Sequence, residues 1–264
     1  MTACEHNAML EVTPVPAFRD NYIWLVTGTQ SRRTAIVDPG DAGPVLDALD
    51  ANGLEPCAIL ITHHHGDHVG GVTQLLSHFD VPVYGPATES IPGRTTALAE
   101  GDQVRLEALP AEFRILDIPG HTAGHIAYFG HGMLFAGDTL FMSGCGRLFE
   151  GTAEQMYASL EKIRRLPGST RVYCAHEYTL ANLRFARAVE PNNDDLSQRL
   201  RECTALRERG IPTVPGPLDI ECATNPFLRA HVPVVREAAA RHAGQALGAD
   251  SEVFAALRRW KDDF

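Results

Sequence analysis

The chain has no C-x-x-C pair. Its six cysteines, at 4, 57, 145, 174, 203 and 222, stand at spacings that suggest no disulfide framework. Reduced thiols in a reducing compartment are therefore expected. No apolar run approaches the ~20 residues of a membrane span. The opening MTACEHNAML lacks the basic start and apolar stretch of a secretory signal. A cytoplasmic location, with no membrane partner, is the default expectation. Positive charge is in deficit: 23 Lys and Arg stand against 33 Asp and Glu, a net of −10. That argues against a nucleic-acid partner, because phosphates need a basic surface. An anionic substrate would need a local basic patch built against the overall field. There is no G-x-S-x-G elbow for a serine nucleophile, no internal repeat and no low-complexity tract.

What is present is the composition of a globular protein, 44% hydrophobic and 21% charged over 264 residues. One large domain or two unequal ones would fit that length. The first half carries short apolar runs bounded by turns. NYIWLV (21–26), TAIVD (34–38), CAILIT (57–62), VPVYG (81–85), RILDIPG (114–120), IAYFG (126–130), MLFAGD (133–138) and RVYCAHE (171–177) read as strands. PVLDALDANG (44–53) and VTQLLSHF (72–79) read as helices. Thr152 and Gln155 form a capping box ahead of Met156, Leu160 and Ile163. Beyond 177 the strand signals stop. Leu196, Leu200, Cys203 and Leu206 recur at helical spacing, and the end, DSEVFAALRRWKDDF, is again helical. The expected organisation is α+β: a mixed domain over 1–175 and a smaller helical one over 176–264.

ITHHHGDHVGG (61–71) places four of the twelve histidines within six residues. His63 and His65 are two apart, so in extended backbone they point the same way, and His64 points the other way. Asp67 and His68 follow Gly66, where a helix begins. One loop thus offers two ligand pairs at the end of a strand, where open α/β sheets place their sites. Four ligands from so short a loop do not fold easily onto one ion; two ions with further ligands elsewhere is the simpler geometry. His121, Asp138 and His176 each end an apolar run and are the candidates. His125 is read as a support for its loop. His6, His78, His131, His231 and His242 are read as surface or packing residues. Asp38 is read as a turn former or an orienting partner for a ligating His.

An Asp after an early strand, then H-x-H-x-D-H, then His, Asp and His at successive strand ends resembles the metallo-β-lactamase superfamily. FRDNYIWL (18–25), PGHTAGHI (119–126), GDTLFMSGCGRLFEG (137–151), AHEYT (175–179), NPFLR (225–229) and LRRWKDDF (257–264) look like tracts of one of its families, glyoxalase II. The resemblance implies an αβ/βα sandwich followed by a helical domain. It implies two divalent metal ions, zinc foremost with iron or manganese as alternatives. One would be held by His63, His65 and His121, the other by Asp67, His68 and His176, with Asp138 bridging. It implies a thioester hydrolase that cleaves S-D-lactoylglutathione to glutathione and D-lactate with a metal-bridged hydroxide, Asp67 and Asp138 holding the catalytic centre. Arg147, Phe149, Tyr178, Arg258 and Lys261 would contact the glutathione part. Arg258 and Lys261 are three apart and share a helix face. The sequence departs from some relatives at Phe149, where they have Tyr, and at Arg147, where they have Lys. A monomer is expected. The rival readings are another hydrolase of the superfamily, such as a lactonase or β-lactamase, a mono-iron persulfide dioxygenase, a flavodiiron enzyme, and a non-catalytic metal-binding protein.

Overall fold

Continuous apolar runs bounded by glycine and proline build the first sheet in this computed structural model, which describes residues 10–264. Strands β1 (Leu10–Ala17), β2 (Asn21–Gly28) and β3 (Arg33–Val37) pair antiparallel. Strands β4 (Glu55–Leu60), β5 (Val83–Pro86) and β6 (Thr96–Leu98) then add parallel, in the order β1-β2-β3-β4-β5-β6. Parallel neighbours need crossover connections. Helix α1 (Ala42–Asn52) joins β3 to β4, and the short α2 (Gly66–Val69) and α3 (Val72–His78) join β4 to β5. The Asp41 side chain caps α1, and Gly53, at φ +59°, ends it in the left-handed region that glycine tolerates.

Helices α1 and α3 cover one face of this sheet. Val45, Leu49, Val72 and Leu75 join Ile23, Leu25, Ile36, Ile59 and Ile61 in one buried cluster. The alternate residues Trp24, Val26, Val37 and Leu60 are buried as well. They face a second layer made of β7 (Gln103–Leu106), β8 (Ala111–Asp117), β9 (Ile126–Gly130) and β10 (Met133–Gly137), antiparallel in the order β10-β9-β8-β7. The Tyr128 hydroxyl ties the layers, 2.9 Å from the Ile61 carbonyl and 3.2 Å from that of Tyr84. Burial on both faces explains why β2 to β4 read as unbroken apolar runs.

The described residues up to Asp117, with Ala123–Gly137, form one compact unit; Ile118–Thr122 with Asp138–Phe264 form another. The second unit opens with a hairpin of β11 (Leu140–Phe141) and β12 (Gly144–Cys145). It continues through α4 (Ala153–Arg164), capped by the expected Thr152–Gln155 box. Strand β13 (Arg171–Cys174) pairs antiparallel with β14 (Gly216–Pro217). Then come α5 (Thr179–Val189), α6 (Asp194–Glu208), α7 (Leu218–Thr224), α8 (Pro233–Ala243) and α9 (Asp250–Asp263). The helical reading of 194–208 and of the C-terminal tract holds, with Asn193 capping α6 through the Leu196 amide. Among the described residues no helix is long and apolar enough to cross a membrane. Cys4 and His6 lie outside the described residues.

Candidate functional site

Strand β4 delivers the histidine tract at its carboxyl end. His63 and His68 are buried completely, and His65 and Asp67 partly. Extended backbone at His65 (φ −61°, ψ 145°) precedes the turn of α2 that swings Asp67 and His68 round. The ring of His63 lies 4.8 Å from that of His65 and 4.0 Å from that of His68, centroid to centroid. Donor atoms of Asp67 and His68 come within 4.8 Å of each other. His125 stacks on His63 at 4.5 Å and is bonded through Nδ1 to the Ile126 carbonyl at 3.0 Å, the supporting role expected of it.

Two residues far away in the chain orient these donors. Asp38 accepts from the Thr62 amide and hydroxyl, each at 2.8 Å, and its Oδ2 stands 3.1 Å from His68 Nδ1. A carboxylate on Nδ1 holds the ring so that Nε2 is the donor presented to a metal. Asn21, which lies in the FRDNYIWL tract but carries no expected role, donates from Nδ2 to Asp67 Oδ2 at 3.0 Å. Glycine is required at 40, where a Cβ would fall 1.8 Å from the Asp67 carbonyl oxygen. His64 is engaged by Glu89, its Nδ1 and its amide both reaching Oε2, at 2.9 and 2.7 Å, although a donor atom of its ring also lies within 4.8 Å of one on His65. Glu89, unmarked in the sequence, takes the Gly124 amide on its other oxygen. His64→Ala is expected to keep the wild-type metal content, measured by plasma mass spectrometry, with turnover within about threefold, since no ligand is removed.

The second unit brings together His121, Asp138 and His176. The Nδ1–H of His121 donates to the Arg147 carbonyl at 2.9 Å, which leaves Nε2 as the lone-pair nitrogen. One oxygen of Asp138, Oδ2, stands 3.4 Å from His121 Nε2 and 3.3 Å from His176 Nε2. These separations are long for hydrogen bonds. A single carboxylate oxygen set against two imidazole nitrogens is an arrangement suited to a cation. The His176 ring is stacked on Tyr178 at 4.7 Å and met edge-on by Phe141. In both units the donors are buried or half-buried imidazole and carboxylate groups, which fits zinc, iron or manganese. Among the described residues no cysteine joins these donor groups; burial pushes the Cys145 thiol up to about 11, partly opposed by the Arg258 charge, and Cys174 up to about 12. Cys145 is also only 5% exposed, which fits a packing residue better than a nucleophile.

Arg147 is exposed and pairs with Asp262, Nε to Oδ1 at 3.7 Å. Phe149 is 63% exposed and sets its edge against His121 at 5.2 Å. The ammonium of Lys261 lies 5.4 Å from the centre of the Phe185 ring, and burial followed by the Arg258 charge lowers its pKa. Arg258 shares the expected helix face with Lys261, their cationic ends resting on the stacked Phe227 and Phe185 rings, but it is only 5% exposed. Its Nη1 donates to the Cys145 carbonyl at 2.9 Å and its Nη2 to Asp262 at 3.0 Å, with the guanidinium over Phe227. The reason is helical phase: Arg258 lies one turn after Phe254, on the stripe that α9 buries.

Two stacked layers with His and Asp donors at successive strand ends define a metal-dependent enzyme of the metallo-β-lactamase class. The sequence profile described as Metallo-beta-lactamase superfamily matches residues 17–176. The crystal structure of the BLEG-1 B3 metallo-beta-lactamase shares the fold, with a TM-score of 0.61 and 23% identity over 83% of this chain and 99% of that one. TTHA1623 in a di-iron-bound form superposes with a TM-score of 0.52 and 30% identity, over 63% of this chain and 91% of that one. A second profile, Hydroxyacylglutathione hydrolase C-terminus, matches residues 177–264. The hydroxyacylglutathione hydrolase of Alkalilimnicola ehrlichii is 61% identical over 254 residues, 96% of this chain and 99% of that one. The chain belongs to the hydroxyacylglutathione hydrolase family.

Proposed function

We propose that this chain is a thioester hydrolase that cleaves S-2-hydroxyacylglutathione, S-D-lactoylglutathione foremost, to glutathione and a 2-hydroxy acid, D-lactate, in methylglyoxal detoxification. The observation that carries the reading is the near full-length 61% identity to a hydroxyacylglutathione hydrolase, helical segment included. A lactonase or β-lactamase would share the metals but has no reason for the basic helical tail. Residues 1–175 are the metal-binding catalytic part and 176–264 the substrate-binding part; the two matching profiles meet at 176 and 177, which supports the division.

His63, His65 and His121 would hold one divalent ion and Asp67, His68 and His176 a second, with Asp138 shared. Zinc is the first choice, iron or manganese the alternatives. The profile match runs through all seven positions, and the 30% identical TTHA1623 binds two irons, both of which support a pair. Bound divalent ions supply a water of lowered pKa and a Lewis acid for the thioester carbonyl. The chain's own part is to orient the donors. Asp38 sets the His68 ring, Asn21 the Asp67 carboxylate and the Arg147 carbonyl the His121 ring. Glutathione carries two carboxylates, so Arg147 and Lys261 supply the local cations that the net charge of −10 lacks. Arg258 adds to that positive field from within. The Tyr178 hydroxyl gives a hydrogen bond. Phe149 offers an apolar ring and one hydrogen bond fewer than a tyrosine, a difference of ~0.5–1.5 kcal/mol. The protein acts as a monomer in the cytoplasm; the five described cysteines are all free, which suits a reducing compartment.

The test is a side-by-side assay of the purified, metal-loaded chain on S-D-lactoylglutathione, a β-lactam and glutathione persulfide, with metals counted per chain. Turnover of the thioester alone, with two metals, is the expected result. Oxygen consumption on the persulfide with a single iron would replace the reading by the dioxygenase one.

A further inference from the structure

The β11–β12 hairpin is held by side chains where a longer hairpin would use its own backbone. Asn225 Nδ2 lies 3.2 Å from the Phe141 carbonyl and 2.9 Å from that of Gly144. Asn182 Nδ2 donates to the Met142 carbonyl at 3.1 Å. The Ser143 amide donates to Glu221 Oε2 at 2.7 Å. Four consecutive residues thus spend a backbone group on three side chains, from α5, from α7 and from the residue just past α7. Glu221 and Asn225 are fully buried and Asn182 nearly so. The backbone there is in a form it would not adopt by default. Ser143 stands at φ +56°, and a Cβ at Gly144 would fall 2.4 Å from Asn182 Nδ2. Glu221 is itself balanced by the buried Arg199, which bonds its other oxygen and the Thr224 hydroxyl.

This hairpin lies between site residues. Asp138 is three residues before Phe141; Gly146 and Arg147 follow Cys145. The Gly146 amide returns to the Thr139 carbonyl at 3.3 Å, and a Cβ at Gly146 would fall 1.9 Å from the Asp138 carbonyl oxygen. The next carbonyl, of Arg147, carries the His121 ring. A shift of the hairpin would therefore move Asp138, Arg147 and His121 together.

We propose that Asn225, Glu221 and Asn182 are positioning residues for the reaction: they hold the Phe141–Gly144 hairpin, and through it Asp138, Arg147 and the His121 ring, in working geometry. The proposal rests on the assignment of those three as site residues. The role belongs to the hydrogen bonds on the hairpin and not to the Arg199–Glu221 charge pair as such. A double variant, Arg199→Met with Glu221→Gln, removes the charges and keeps an oxygen for the Ser143 amide.

The test compares amide hydrogen exchange and steady-state kinetics in the metal-loaded full chain. Asn225→Ala is expected to speed exchange over 139–147 by about tenfold beyond its effect on α6, and to lower kcat by about tenfold per folded molecule. The double variant keeps one oxygen for the Ser143 amide and both asparagine holds, so it is expected to lose clearly less than Asn225→Ala in both. If Asn225→Ala does not fold, Asn182→Ala, which removes a single bond, is read in the same way. Exchange over 139–147 that rises no more than over α6, or an unchanged kcat, overturns the proposal. So does a double variant that loses activity as fully as Asn225→Ala, since the charges would then carry the effect. The exchange readout needs no substrate, so a wild type inert towards lactoylglutathione defeats the substrate reading and leaves the positioning claim to be decided on its own.

Discussion

Asp138→Ala is expected to lose bound metal and turnover together. One buried carboxylate oxygen stands near both His121 Nε2 and His176 Nε2, so its removal would take a ligand from the ions that both imidazoles are proposed to hold. Removing a single preorganised group that stabilises developing charge typically costs ~10²–10³ in kcat. If Asp138 is shared between two ions as proposed, the cost should be at least that, with metal per chain falling in the same preparation. Asp138→Asn is the milder control, since it keeps an oxygen donor and loses the charge. Full metal occupancy with a normal rate in the alanine variant would sink the assignment of Asp138.

Arg258→Ala is expected to fail in two ways, where a surface cation would fail in one. The guanidinium is buried, and its bond to the Cys145 carbonyl is charge-assisted, worth ~1.5–3 kcal/mol. At roughly 2–4 °C per kcal/mol for a chain of this size, the melting temperature should fall by about 3–12 °C. Cys145 lies two residues before Arg147, so the KM for lactoylglutathione should also rise, by roughly tenfold to a hundredfold on the same energy scale. Lys261→Ala separates the two effects. Its ammonium rests on aromatic rings and bonds no backbone, so KM should rise with the melting temperature nearly unchanged. Added salt should weaken wild-type binding and affect Lys261→Ala less, while a small neutral thioester should be cleaved equally by wild type and Lys261→Ala. A melting temperature and KM unaffected by Arg258→Ala would show that neither the hairpin bond nor the positive field matters.

Strands buried on both faces were legible because an apolar run needs no partner to be read. β2, β3, β4, β9 and β10 fall within two residues of their expected spans. β1 was not legible. Pro14 and Pro16 argue against a strand, yet β1 pairs with β2 alone, and an edge strand tolerates prolines. Strands β11 and β12 are two residues each, too short to show a period. Helix α7 is only seven residues long and α8 is rich in alanine and charge, so both show weak stripes, while the buried face of α5 includes the polar Thr179 and Asn182.

By itself the sequence determined the metal chemistry: alternation along an extended tract separates His64 from His63 and His65, and a glycine before Asp67 turns the chain. It also determined the helical character of the last third, through caps and apolar spacing. Only the tertiary structure decided which groups hold those donors in place. Asn21 meets Asp67 across 46 residues, Glu221 meets Ser143 across 78, and Arg258 meets Cys145 across 113. Contacts of that kind depend on how distant elements pack, and they leave no period in the chain. The same reason leaves the burial of Arg258 unread in the sequence. Spacing gives the angle between two residues on a helix, but which side of the helix is buried is settled by what packs against it.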